Sequence, residues 1–199
     1  MKFNKKVLAI ILCSSISLTA VGCGSSNSSS DNTSSSQTEE KKESNVKKED
    51  EGTYTLIEDR KNANIEQTQG PIKFTINSIK VSSFKPDEHF KDMYKNKDEL
   101  ICLELDTMLE NSSDNVIDVI PISSKLVLQD NSQIELDSLK TKADTSSLQG
   151  KAKAPSKLVF YIPQSEVPNI VTLHCNAPAD LNSESFQEFK PFKIDINLK

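Results

Sequence analysis

Apolar and polar residues alternate with a period of two through most of the chain from residue 70 onward. Ile72, Phe74 and Ile76 alternate with Lys73 and Thr75, and Ile79 and Val81 resume the alternation one position out of phase. A slip of one residue turns a strand's apolar set from core to water, so Asn77 and Ser78 mark a β-bulge that restores the face. The run LICLELDTMLEN at 100–111 sets Ile101, Leu103, Leu105, Thr107 and Leu109 against Cys102, Glu104, Asp106, Met108 and Glu110. That is the pattern of a strand with one dry and one wet face. NSSDN at 111–115 then supplies a turn. Short apolar runs follow: VIDVI (116–120), KLVLQ (125–129) joined to IEL (134–136) across DNSQ, KLVFYIP (157–163), IVTLHC (170–175) and FKIDINL (192–198). Many short strands between turn-rich connections predict an all-β, antiparallel sandwich or barrel.

One segment departs from this period. PDEHFKDMYKN at 86–96 places a proline near its start, acids in its first turn, and Phe90, Met93 and Tyr94 at helical spacing. A short helix covering an open end or edge of the β domain is predicted, with an exposed aromatic loop that grips a partner as the alternative. Tyr161, between Phe160 and Ile162, projects from the other face of its strand. Phe90, Met93, Tyr94 and Tyr161 are therefore the candidate interaction surface.

Before residue 70 the alternation fades. Residues 24–52 read GSSNSSSDNTSSSQTEEKKESNVKKEDEG, with Val46 the one clearly apolar side chain. Such a stretch buries too little to offset the entropy of ordering itself and reads as a disordered tether, with an r.m.s. span of roughly 30 Å. Residues 53–69 read as a transition segment and 70–199 as the folded domain. At the other end, MKFNKK precedes VLAIILCSSISLTAV, the charged and apolar regions of a signal peptide covering 1–22. Serines interrupt the apolar run well short of the ~20 residues that cross a bilayer.

The residues Ala20, Val21 and Gly22 before Cys23 resemble the lipobox of bacterial lipoproteins, with alanine where leucine is usual. The resemblance implies cleavage before Cys23, diacylglycerol on its sulfur, and a lipid anchor at the extracytoplasmic face of the cell membrane. Two or more acyl chains make such anchoring stable where one does not. The order IKFTINSIKV, ICLELDTMLENSSDN, SKLVLQDNSQIE and QGKAKAPSKLVFYIP resembles the DUF4352 family of immunoglobulin-like domains on secreted lipoproteins of Gram-positive bacteria. Asn111, Ser112 and Ser113 match that family's turn after a long central strand. Gly150, Leu158, Val159, Phe160, Ile162 and Pro163 match its later glycine and strand. The likeness spans roughly residues 70 to 199, departs at KPDEHFKDMYKNKDE, and implies an immunoglobulin-like antiparallel β-sandwich.

Charge and chemistry narrow the function. The chain carries a net charge of −5, and losing Lys2, Lys5 and Lys6 with the signal peptide takes it to −8. An acidic surface disfavours nucleic acid and anionic lipid as partners. Cys102 and Cys175 invite a disulfide in an exported domain. Their strand phases place Cys102 with Glu104 and Asp106 but Cys175 with Val171 and Leu173, which favours unpaired thiols over a bond across the core. His89 and His174 are the two histidines, and neither has ligands at metal-binding spacing. No nucleophile elbow, P-loop, HExxH or calcium loop occurs, so neither a cofactor nor catalysis is expected. The composite expectation is a membrane-anchored interaction module with an envelope or extracellular protein partner; a solute-binding or envelope-sensing lipoprotein is the alternative.

Overall fold

The alternating runs around Phe74 and Leu105 become the two longest strands of a computed structural model that describes residues 45–119, 121–143, 146–180 and 187–199. The order is β1 (Val46–Glu49), β2 (Gly52–Arg60), β3 (Ile65–Gln69), β4 (Ile72–Pro86), a 3-10 helix (Glu88–Tyr94), β5 (Leu100–Asn111) and β6 (Ile117–Asp118). A second 3-10 turn (Pro121–Ser123), β7 (Lys125–Val127), β8 (Gln133–Glu135), β9 (Lys142–Ala143), β10 (Ser147–Leu148) and β11 (Lys153–Ile162) follow. The chain closes with β12 (Ile170–Cys175), β13 (Ala179–Asp180), β14 (Gln187–Glu188) and β15 (Phe192–Asn197). The domain is predominantly β: a large sheet curled into an open half-barrel, with two smaller sheets.

The large sheet runs β1-β2-β4-β5-β11-β9, with β3 also on β4, and the smaller ones run β10-β6-β13-β14 and β15-β12-β7-β8. β4 is long enough to carry β3 beside its first half and β2 beside its second. The predicted bulge is present: pairing of β4 with β5 shifts between Ile76 and Ser78, and the carbonyl of Asn77 accepts the Ala63 N–H at 2.9 Å. One face of β4, β5 and β11 buries Phe74, Ile79, Leu105 and Phe160 in a core shared with Leu126, Leu173, Phe192 and Ile196 of the β15-β12-β7-β8 sheet. Phe74 and Phe192 meet across it with ring centroids 5.5 Å apart.

Residues 46–69 correct the expected organisation. The segment read as the end of the tether and a transition is three strands of the large sheet. Their side chains are mostly half-buried or exposed, so the composition lacks the apolar share that marks a central strand, and the template edge of β4 supplies the order instead. Gly52, after the β1–β2 turn, sits where a Cβ would lie 2.3 Å from the Lys85 carbonyl oxygen and 2.7 Å from the Phe84 ring. The predicted helix forms as a 3-10 helix, capped by the Asp87 side chain accepting from the His89 N–H and ended by Lys95 in the left-handed region at φ 55°. Cys23, the signal-peptide segment and the tether up to residue 44 lie outside the described residues.

Candidate functional site

The face of the large sheet turned away from the core is not a plain wet surface. Alternation brings Tyr54 and Leu56 of β2, Ser82 and Phe84 of β4, Leu100 and Cys102 of β5, and Val159 and Tyr161 of β11 to this side. Phe84, Tyr94, Leu100, Cys102 and Val159 form a second apolar cluster, against which Tyr54, Phe90 and Tyr161 pack. Phe84 is its centre, with ring centroids 4.5 Å from Tyr54, 4.8 Å from Tyr94 and 5.1 Å from Tyr161. The expected phase of Cys102 is therefore correct, but the thiol is buried, because the 3-10 helix and the tyrosines roof its end of the sheet. Burial pushes the Cys102 thiol up to about 12, a poor nucleophile at neutral pH.

Beyond the aromatic end lies a trough of about 680 Å³, lined from Asn45 through β2, β4, β5 and β11 to Lys142. Its two banks are the two ends of the curled sheet, β1 and β9. Lys140 spans them: its Nζ lies 2.9 Å from Glu49 Oε2 and also contacts Glu51 Oε1. The turn before β9 holds Lys140 in place, since Asp137 Oδ1 accepts the backbone N–H groups of Leu139 and Lys140 at 2.9 Å each. That turn is itself fastened to β11, where the Asp137 N–H donates to the Val159 carbonyl at 2.8 Å and the Val159 N–H donates to Thr141 Oγ1 at 3.0 Å. The ion pair thus latches the open barrel between β1 and β9.

A hydrogen-bonded chain joins latch and aromatic cluster. Tyr54 Oη donates to Glu51 Oε1 at 2.9 Å and lies 2.6 Å from Tyr161 Oη. Burial raises both phenol pKa values. Contact with Lys47, and then with Lys140, holds the Glu49 carboxyl down at about 2 against an ordinary 4.5. On the trough floor, burial works against ionised Glu104, yet Lys157 and Lys80 outweigh it and its pKa is lowered; Lys80 lies 3.2 Å away.

Because the Glu49 pKa in the folded state lies below its ordinary value, through Lys47 first and the Lys140 latch second, this carboxylate contributes its full stability above about pH 4.5 and loses it as the pH falls toward 2. Lys140→Met should remove a part of that acid dependence from urea midpoints measured between pH 5.5 and 3, the part due to Lys47 remaining. It should also speed alkylation of Cys102 several-fold at neutral pH, with Cys175 as the internal control. Cys175 lies in the main core, where Ser124 Oγ donates to its sulfur at 3.1 Å. Both cysteines are free thiols, on opposite faces of the fold.

Of the candidate interaction residues, Met93, Tyr94 and Tyr161 come together. They line a smaller cleft of about 240 Å³ with Leu100, Ile134, Leu136 and Pro163, on the other side of Tyr161 from the trough. Met93 is 60% exposed and Tyr94 8%, so the methionine presents itself to solvent while Tyr94 belongs to the aromatic cluster. Phe90 is half-buried against the same cluster. His89 and His174 lie far apart in the chain, and among the described residues no group of three or more metal-ligating side chains converges. The latch residues Glu49, Glu51 and Lys140 were invisible to sequence reasoning, because the pairs that define the latch are 91 and 89 positions apart.

No family model matches the chain, and no curated protein is significantly similar to it. The resemblance to DUF4352 read from the sequence is not supported by a family match. Among solved structures, a functionally unknown protein from Listeria monocytogenes EGD-e is similar with a TM-score of 0.56 at 13% identity, over 73% of this chain and 88% of that one. A Bacillus subtilis subsp. subtilis strain 168 protein described as a "putative lipoprotein" aligns with a TM-score of 0.46 at 16% identity, over 67% of this chain and 39% of that one. This chain thus matches well under half of the Bacillus protein's length. The Listeria likeness shows the fold alone: the two chains share a β-domain architecture.

Proposed function

We propose that the chain is an extracytoplasmic lipoprotein, held to the cell membrane by acyl chains on Cys23. Its β domain works as a non-catalytic protein-interaction module for an envelope or extracellular partner. The observation that carries this reading is the outer face of the large sheet, where a latched trough and an apolar cleft beside exposed Met93 flank one tyrosine, Tyr161. Exposed methionine beside aromatic residues suits an adaptable protein contact. Anchor and tether add a high local concentration near the membrane.

Two measurements test it. Mass spectrometry of the membrane fraction should find Cys23 as an acylated N-terminal residue, and an unmodified chain in the medium would defeat the anchor. A photo-crosslinking residue at Met93 in intact cells should yield a discrete protein adduct that the same residue at Lys125 does not; equal smears from both positions would remove the interaction reading. The trough favours a second reading, solute binding, because it is concave and lined by convergent charges. In that case small polar solutes should raise the melting temperature of the purified protein while Met93 gives no adduct.

A further inference from the structure

Large apolar side chains exposed singly are ordinary on a protein surface, whereas grouped ones mark contacts. Among the described residues the two most exposed are Leu139, at 78%, and Met93, and both belong to segments at the cleft beside Tyr161. Met93 is one of its walls. Leu139 stands in the turn that Asp137, another lining residue, caps through its Oδ1. Between them Tyr94, Leu100, Ile134, Leu136 and Pro163 give the cleft an apolar lining. Tyr94 and Tyr161 meet edge to face there, with ring centroids 4.9 Å apart. Size decides what such a hollow holds. At about 240 Å³ it falls below the ~300–1,000 Å³ of cavities that enclose a drug-sized ligand. It leaves room for one large side chain, the way an anchoring residue fills a pocket at a protein interface.

We infer that this cleft receives one aromatic side chain from a partner protein, flanked in the partner's sequence by lysine or arginine. The inference rests on the interaction-module reading and names its partner chemistry. An aromatic anchor suits the walls, because rings pack favourably edge to face and a thioether sits well at a ring edge. Met93 is unbranched, so its side chain can fold over the anchor once that is seated. The rim sets the charge of the flanks. It carries two carboxylates, Glu135 and Asp137, against one cation, Lys95. Glu135 is bound to Lys125 at 2.9 Å. Asp137 spends Oδ1 on the two backbone N–H groups of its turn, and its carboxylate forms no ion pair with a described residue. A basic residue beside the anchor supplies that missing partner. At a solvated rim such a pair adds little affinity and acts chiefly on encounter rate and choice of partner. The chain's net charge of −5 favours a basic partner at longer range as well.

The test uses the mature lipoprotein in phosphatidylcholine nanodiscs, with methyl-labelled methionine, and the heptapeptide Gly-Ser-Lys-Trp-Lys-Ser-Gly, read by methyl NMR. Met93 reports on the cleft, and Met108, opposite Pro155 on β5, is the internal control. The peptide should shift the Met93 methyl saturably through the indole ring current and leave Met108 in place. With alanine for tryptophan it should bind at least about tenfold more weakly, and with glutamate for both lysines several-fold more weakly. Asp137→Asn keeps the Oδ1 that caps the turn and removes the charge, so it should narrow the gap between the lysine and glutamate peptides and preserve the need for tryptophan. No saturable shift at millimolar peptide, equal movement of both methyls, equal affinity for the alanine peptide, or a gap that Asp137→Asn leaves unchanged would each overturn the proposal. So would free indole binding as tightly as the peptide, which would make the cleft a small-molecule site. A cellular adduct at Met93 with no peptide binding would reject the basic aromatic anchor and keep the interaction module. Peptide binding with no cellular adduct would instead count against the interaction module itself.

Discussion

Phe84→Ala should lower folding stability by about 4 kcal/mol and the melting temperature by on the order of 10 °C. Phe84 is fully buried, and three tyrosine rings pack against it from β2, the 3-10 helix and β11. Removing the ring takes away its own burial and leaves a cavity that these neighbours, each held by its own element, close only in part. The distinguishing consequence is spatial. Phe84 belongs to the outer cluster rather than the main core, so the loss should expose Cys102 to alkylation in the native state and leave Cys175 protected. Urea unfolding with thiol labelling checks both statements. A variant that loses less than about 1 kcal/mol, or exposes both thiols equally, would mean that the two clusters do not behave as separate units.

Asn111→Leu should cost about 3 kcal/mol, although leucine is apolar and close to asparagine in size. Asn111 ends β5 almost fully buried. Its Nδ2 group donates to the carbonyls of Asn115, Leu148 and Gln149 at 2.8, 3.1 and 3.2 Å. Its Oδ1 accepts from the Ser113 N–H and hydroxyl at 2.9 and 2.8 Å. One side chain thus ties the turn after β5 to the β10 segment, and leucine would leave several buried backbone groups without partners. The same turn lies so close to Gly150 that a Cβ there would be 2.2 Å from the Asp114 carbonyl oxygen. Asn111→Leu and Gly150→Ala should therefore be strongly non-additive, since both release one junction. Denaturant midpoints of the two single variants and the double variant measure this.

The asparagine and glycine were legible as a turn and a family-like pattern, and the structure supplies their shared physical cause. The β4 bulge was legible because a phase break in an otherwise regular alternation has few other meanings. β1 to β3 were not, since their half-exposed side chains lack the apolar contrast on which pattern reading depends. The face of Cys102 could be read from its neighbours, but its burial could not. Burial depends on Tyr54, Phe84, Tyr94 and Tyr161 arriving from four separate elements.

By itself the sequence determined what is local in this protein: the period-two strands, the bulge at Asn77 and the short helical cover near Tyr94. Each depends on residues within a few positions of one another, where backbone preference and side-chain alternation act directly. The tertiary structure alone decided that the large sheet curls until β1 and β9 face each other, that Lys140 latches them, and that Tyr54 meets Tyr161 across 107 positions. Those contacts follow from accumulated twist and strand order, which local alternation does not encode.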